Sequence, residues 1–302
     1  MVHFFRRWWT RQDVATRELP GYLRLAVVNF RHEGVRQAAA LAYYAIFSVF
    51  PLTLLLTIVI TRLLGPVAAQ EQIASAVGLF LPPETSSLLI ENVTQAVRQS
   101  DSFTLIAVAG LIWSALGLFS NITHSLDAIF RVPARRSLWR QRLTAFIMAL
   151  ILVVLVTASF LTSAVLRLIS ASLLGQPSAW LNVGTFFLPL GLDMVIFALL
   201  FRYVPARPVV WDAVWPAAIF GAIGWELAKS GFVWYTSNVA NYQFIYGGLA
   251  TAIVLLLWAY LIAAIFLLSA EICARLNEWF WAQHQRERER EAEDAPYLIE
   301  RP

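Results

Sequence analysis

The sequence predicts an all-α, polytopic membrane protein with six transmembrane helices and cytoplasmic N- and C-termini. Three observations carry that expectation. Hydrophobic residues make up 59% of the 302 and charged residues only 14%, with a mean hydropathy of +0.64, whereas soluble domains are roughly a quarter charged. Six stretches reach the roughly 20 apolar residues that about 30 Å of hydrocarbon requires. The basic residues, finally, gather on alternate connections between those stretches.

Residues 1–37 form an N-terminal cytoplasmic or interfacial segment. It opens with an aromatic and cationic cluster from His3 to Trp9, suited to an anionic headgroup layer. Leu23, Val27 and Phe30 then recur at helical spacing beside Arg24 and Arg31, the pattern of a helix lying in the interface. A helix packed on the bundle is the competing expectation. No apolar run in this segment would serve as a signal-peptide core, so no cleavage is expected.

The transmembrane domain, residues 38–273, holds spans at Ala38–Thr61, Phe103–Ile122, Leu143–Leu166, Trp180–Phe201, Trp211–Phe232 and Ile245–Cys273. The 65–102 connection is too long for a plain loop. Ile73 and Val77, then Leu89, Val93 and Val97 after Pro82 and Pro83, predict two short amphipathic helices on the outer face. The last span exceeds one membrane thickness and should tilt or project. Residues 274–302 form a charged cytoplasmic tail, alternating Arg and Glu between Gln285 and Asp294, which extends the last helix into solvent.

Orientation follows from the basic residues outside the spans. Seven arginines precede the first span, five lie between the second and third, two between the fourth and fifth, and five after Cys273. The opposite connections hold only Arg62, Arg98 and Arg167. Lys229, the sole lysine, lies inside the fifth span. A pI near 9.5 is thus explained by topology and does not point to nucleic acid as a partner. The three-plus-three arrangement invites an inverted repeat, but the two halves share no motif.

Charges inside the spans mark functional candidates. Asp193 lies near the middle of the fourth span. Glu226 lies just beyond the middle of the fifth, and Lys229 follows at i+3 on nearly the same face, close enough to the outer boundary for its ammonium to snorkel. Trp215 and Ala222 share that face. Ala217, Gly221, Gly224 and Ala228 make a separate stripe of small residues, which allows close helix approach. Glu271 and Arg275, at i and i+4, predict a salt bridge at the cytoplasmic end of the last span.

Other chemistry finds little support. Cys273 is the only cysteine, and His3, His32, His124 and His284 are scattered, so no disulfide framework, metal site or cofactor is expected. His124 and Asp127 at i+3, with Asp212 elsewhere, are a thin basis for metal-assisted phosphodiester cleavage. No phosphate-binding glycine loop, nucleophile elbow or zinc-protease motif occurs.

Three segments carry a resemblance. AAALAYYAIFSVFPLTLLL (Ala38–Leu56), WSALGLFSNITHSLDAIFRVPARRS (Trp113–Ser137) and the long block WELAKSGFVWYTSNVANYQF to LLSAEI (Trp225–Ile272) resemble, in order, the first span, the second span with its basic turn, and the last two spans of the YihY/BrkB family. The resemblance runs over most of residues 20–280. It departs at Asp127, where a more neutral residue is expected, and at Phe130, where tryptophan is common.

The resemblance implies a multi-pass protein of the bacterial inner membrane with six helices. It implies recurrent polar and aromatic positions at Tyr43, Tyr44, Ser48, Glu226, Lys229, Asn238 and Tyr246, and backbone-shaping ones at Pro51 and Gly247. The family has carried ribonuclease BN and virulence-factor labels, with no catalytic residues attached, and some members have been connected with envelope lipid export. The leading expectation is a transporter-like or lipid-handling protein without covalent catalysis. Its partners would be membrane lipids, an anionic lipid or small-molecule substrate, and optionally a second copy of the chain. The alternative is a scaffold whose buried charges only fix packing, and the most distant is a membrane-associated ribonuclease.

Overall fold

The computed structural model describes residues 14–48, 90–91, 105–132, 143, 147, 179–238 and 250–298, and all regular structure among them is helical. Helix α1 is Val14–Asn29. It passes through a π-helical turn, Phe30–Gly34, into α2, residues 35–48. Helix α3 is Leu105–Ile129, α4 is Ala179–Tyr203, α5 is Trp211–Asn238 and α6 is Ala250–Leu298. Helices α3 to α6 overlap four of the expected spans, and α2 covers residues 38–48 of the first, whose remainder lies outside the described residues. The third span lies outside the described residues except for Leu143 and Ile147, both helical. The 65–102 connection lies outside them except for helical Ile90 and Glu91.

Helix α6 is the spine, packing against α1, α3, α4 and α5. Its 49 residues reach about 74 Å at 1.5 Å per residue, more than twice the hydrocarbon thickness. Among the described residues one helix, within Ile253–Glu289, is long and apolar enough to cross a membrane by length and composition. The alternating Arg and Glu tail continues this same helix, exposed over residues 284–289.

The core is aromatic where α4 meets α6 and small-sided where α5 enters. Phe197, Phe201 and Phe266 have ring centroids 5.7–6.0 Å apart. Against them α5 sets Ala217, Ala218 and Gly221. A Cβ on Gly221 would stand 3.0 Å from both the Phe197 ring and the Ser269 hydroxyl, and one on Gly224 3.1 Å from Ile265. The stripe of small residues therefore does what its spacing predicts, bringing α5 into close contact with α4 and α6.

Away from the core, α5 exposes Trp211, Trp215, Ile219, Phe220, Ile223, Leu227 and Trp234. This arc is apolar and has tryptophans at both ends. Trp215 and Trp234 are 19 residues apart in sequence, about 29 Å along a helix, which matches a hydrocarbon core bounded by interfacial aromatic belts.

Helix α1 shares both expected characters. It buries Ala26 and leaves Leu23, Leu25, Val27 and Val28 exposed beside Arg24 and Arg31. It packs against α6, and toward the C-terminal end of that helix the Arg286 guanidinium meets Glu18 at 3.0 Å. The π-helical turn that follows lays the Phe30 ring over Gly34, in the space a Cβ would need.

One boundary differs from expectation. Helix α3 runs to Ile129, about two turns beyond the apolar stretch, because Leu126, Ile129 and Phe130 are buried in the core. His124 and Asp127 are thus helical residues and not loop residues. The helix stops in a Schellman arrangement, with Arg131 at φ 51°. The Val132 N–H donates to the Asp127 carbonyl and the Arg131 N–H to the Ala128 carbonyl.

Candidate functional site

The turn between α4 and α5 is short, residues 204–210, so the two helices run antiparallel as neighbours. Asp193 stands ten residues before the end of α4 and Glu226 fifteen after the start of α5, about a turn and a half apart in height, and the structure brings both to Lys229. The Lys229 ammonium donates to Glu226 Oε1 at 2.7 Å and lies 4.0 Å from Asp193 Oδ2. Two carboxyl groups and one ammonium therefore form a single cluster.

The three side chains are unequally covered. Asp193 is 8% exposed, and its Oδ2 has no hydrogen-bond partner. The Lys229 side chain is 18% exposed and that of Glu226 29%. On α5 these two sit at the border between the buried face, where Ala222 is enclosed, and the exposed apolar arc containing Trp215. The cluster is thus most enclosed at Asp193 and most exposed at Glu226.

Lys229 departs from the snorkelling expectation. Side chains lean toward the N-terminus of their helix, which here turns the ammonium back along α5 toward Glu226 and Asp193. Two carboxylates at 2.7 and 4.0 Å hold it there, and the outer boundary has no comparable hold on it. Fully ionised, the cluster carries a formal charge of −1.

Among the described residues, Tyr43, Tyr44 and Ser48 do not join this cluster. Tyr43 and Tyr44 lie on α2, exposed, with ring centroids 5.6 Å apart, as interface aromatics would be. Ser48 is buried, and its hydroxyl donates to the Ala45 carbonyl at 3.0 Å, an ordinary back-bond within a helix. Asn238 ends α5. Tyr246, Pro51 and Gly247 lie outside the described residues.

A second polar region closes the opposite end. The Glu271–Arg275 salt bridge forms at 3.6 Å, and Arg275 also donates to Glu278 at 2.6 Å. Glu271 and Arg275 are buried in the core, not at an open interface, because α1 and the π-helical turn cover α6 at this level. Buried Asn277 grips the α4–α5 turn, accepting from the Val210 N–H at 2.9 Å and donating to the Pro208 carbonyl at 3.3 Å. Asp127 accepts from the Ala206 N–H at 2.9 Å, and the Arg202 guanidinium donates to the Val209 carbonyl. Three helices thus fix this turn, and with it the relative placement of α4 and α5.

The Asn277 and Asp127 contacts have no counterpart in the sequence pattern, since a polar residue holding a distant backbone has no periodic signature. The meeting of Asp193 with Lys229 did have one. Opposite charges at similar depth on consecutive helices joined by a short turn are expected to face each other. Among the described residues, no three His, Cys, Asp or Glu side chains group so as to hold a metal ion.

Comparison with known proteins gives the context for this site. The model of the family described as virulence factor BrkB matches residues 28–294. A UPF0761 membrane protein of Chromohalobacter salexigens is 29% identical over 289 residues, covering 92% of this chain and 68% of the relative. Another, of Vibrio vulnificus, is 30% identical over 288 residues, covering 90% and 85%. A Bacillus subtilis protein named a putative ribonuclease-like protein is 28% identical over 256 residues, covering 82% and 91%. No solved structure matches the chain significantly. With a family match across nearly its whole length and membrane proteins as relatives on most of theirs, this chain is an integral membrane protein belonging to the BrkB/YihY family.

Proposed function

We propose that this chain is a six-span protein of the bacterial inner membrane, with both termini cytoplasmic, that handles an anionic envelope lipid through the Asp193–Glu226–Lys229 cluster and performs no covalent catalysis. The observation that carries the reading is the position of the cluster. It combines a partly exposed cation with an exposed apolar arc on the same helix that is bounded by tryptophans. A phospholipid approaching along that arc would meet Lys229 with its headgroup while its chains remain in hydrocarbon. The arginine asymmetry supports the orientation, and the five helices that overlap expected spans support the count.

The ribonuclease-like name belongs to the Bacillus subtilis relative and brings no residue onto this chain. Here His124 and Asp127 lie one turn apart on α3, and Asp127 is engaged with the α4–α5 turn. A scaffold role for the cluster is the reading to beat, since a buried ion pair can serve packing alone.

The test is binding of a fluorescent phosphatidylglycerol to the purified full chain in nanodiscs of phosphatidylcholine. Wild-type protein should bind it, with phosphatidylcholine failing to compete. Lys229→Met should weaken binding about tenfold or more, the size of one charge-assisted contact. Equal binding by wild type and Lys229→Met would refute the role given to the cluster.

A further inference from the structure

The cluster has more negative than positive groups, which is unexpected for a site that receives an anion. Lys229 already contacts Glu226 at 2.7 Å and has Asp193 at 4.0 Å, so an incoming phosphate would meet a formally negative site. Ionised carboxylates are acceptors only. The Asp193 and Glu226 carboxyls both lie within 4.0 Å of the same ammonium, so when ionised they face each other across a single cation, and their mutual repulsion favours a proton on one of them. Asp193 Oδ2 adds a buried acceptor without a hydrogen bond, with the Lys229 ammonium 4.0 Å away. The charged groups acting on Asp193 are Glu226 and Lys229, both from α5. Helix α6 supplies no charged residue between 250 and 270, its only titratable group there being the Tyr260 phenol. On α4 the only other charge beyond Asp193 is Arg202, more than two turns away.

We propose that the Asp193–Glu226 carboxyl pair binds one exchangeable proton, and that this proton releases Lys229 to receive the anionic headgroup, so that lipid binding is proton-coupled. The inference rests on the lipid reading above and names its coupling ion. With the proton on, the cluster is neutral and the ammonium has one charged partner in place of two. With the proton off, both carboxylates hold the ammonium and the anion is repelled. A proton is favoured over an alkali cation because the space between the carboxylates is taken by the ammonium, and a proton needs no added volume.

Two measurements on the full chain in nanodiscs test this. The first is calorimetric titration of the wild-type protein with short-chain phosphatidylglycerol in two buffers of different ionisation heat. It should show about one proton taken up per lipid bound. Affinity should fall as pH rises, by at most about tenfold per pH unit for a single proton. The second is infrared difference spectroscopy between acid and alkaline states. A protonated-carboxyl band should be present in wild type and in Glu271→Gln, and absent from Asp193→Asn.

Exchange of sodium for potassium should change neither result. Because the calorimetry uses wild-type protein, it remains decisive even where Asp193→Asn fails to fold. Lipid binding that depends on Lys229 with no proton uptake overturns the coupling and leaves the lipid reading standing. An affinity that follows sodium concentration in place of pH also overturns it. Absence of Lys229-dependent lipid binding removes the lipid reading and the coupling with it.

Discussion

Deleting the Lys229 ammonium alone should cost the fold more than deleting all three charged groups of the cluster together. In Lys229→Met the Glu226 and Asp193 carboxyls lose the cation at 2.7 and 4.0 Å, and Asp193 stays enclosed at 8% exposure. Removing one member of a buried pair typically costs about 3–5 kcal/mol. Glu226 is partly open, which places the expectation near the lower end, about 3 kcal/mol, or roughly a hundredfold in the folded-to-unfolded ratio.

The change Glu226→Leu/Lys229→Met looks neutral from α5 alone, but it strands Asp193 without a charged partner, so it should be destabilising too. Only the triple variant Asp193→Leu/Glu226→Leu/Lys229→Met removes every desolvated charge. It should return to within about 1 kcal/mol of wild type, as buried pairs replaced by packed hydrophobes often do. Reversible unfolding in mixed micelles of rising dodecyl sulfate fraction, followed by circular dichroism, would rank the four proteins. A Lys229→Met protein as stable as wild type, or a triple variant no better than the single, would refute the electrostatic account. A triple variant that folds normally and still binds phosphatidylglycerol like wild type would leave the cluster a packing device.

Three further outcomes follow from the same structure. Asn277→Ala deletes both side-chain bonds to the α4–α5 turn and should cost about 1–3 kcal/mol for the buried groups left unpaired, with faster proteolysis within residues 204–210 as the readout. Gly221→Leu drives a side chain into Phe197 and Ser269 and should cost about 1–3 kcal/mol as an overpacked core, read by the same micelle unfolding. For topology, cysteines introduced singly at Ser87 and Ser137 should react with an impermeant thiol reagent in intact spheroplasts at position 87 and not at 137. Native Cys273 is fully buried and provides the unlabelled background, so Cys273→Ser is unnecessary. Labelling at 137 alone would invert the orientation.

Most of the helical frame was legible because hydrophobic length and arginine placement act residue by residue, without reference to partners. The same signals misplaced the end of α3, where His124 and Asp127 interrupt the apolar run. Burial of Leu126, Ile129 and Phe130 outweighs two polar residues on the other faces, and no local pattern reports which faces will be covered. Depth was legible to within about a turn and a half, since Asp193 stands ten residues from the end of α4 and Glu226 fifteen from the start of α5. What the sequence leaves open is rotation, for a helix can present any side to its neighbour until packing decides.

That decision is made by residues that look unrelated to the charges. Phe197 lies four residues after Asp193, so both project from one side of α4. The Phe197 ring is held against Gly221, where a Cβ would come within 3.0 Å. Pinning that side of α4 to α5 leaves Asp193, one turn farther along, facing the next turn of α5, where Glu226 and Lys229 begin. The small-residue stripe and the charged face were read as separate features of α5, because they occupy different arcs of the helix. In three dimensions the first sets the position of the second. Gly221→Leu should therefore do more than destabilise. By pushing Phe197 away it should withdraw Asp193 from Lys229 and weaken the pH dependence of lipid affinity in whatever fraction remains folded. Gly224→Ala, which meets only Ile265 on α6 at 3.1 Å, should leave that pH dependence intact. Equal effects of the two substitutions on pH dependence would mean that Phe197 and Gly221 do not set the placement of Asp193.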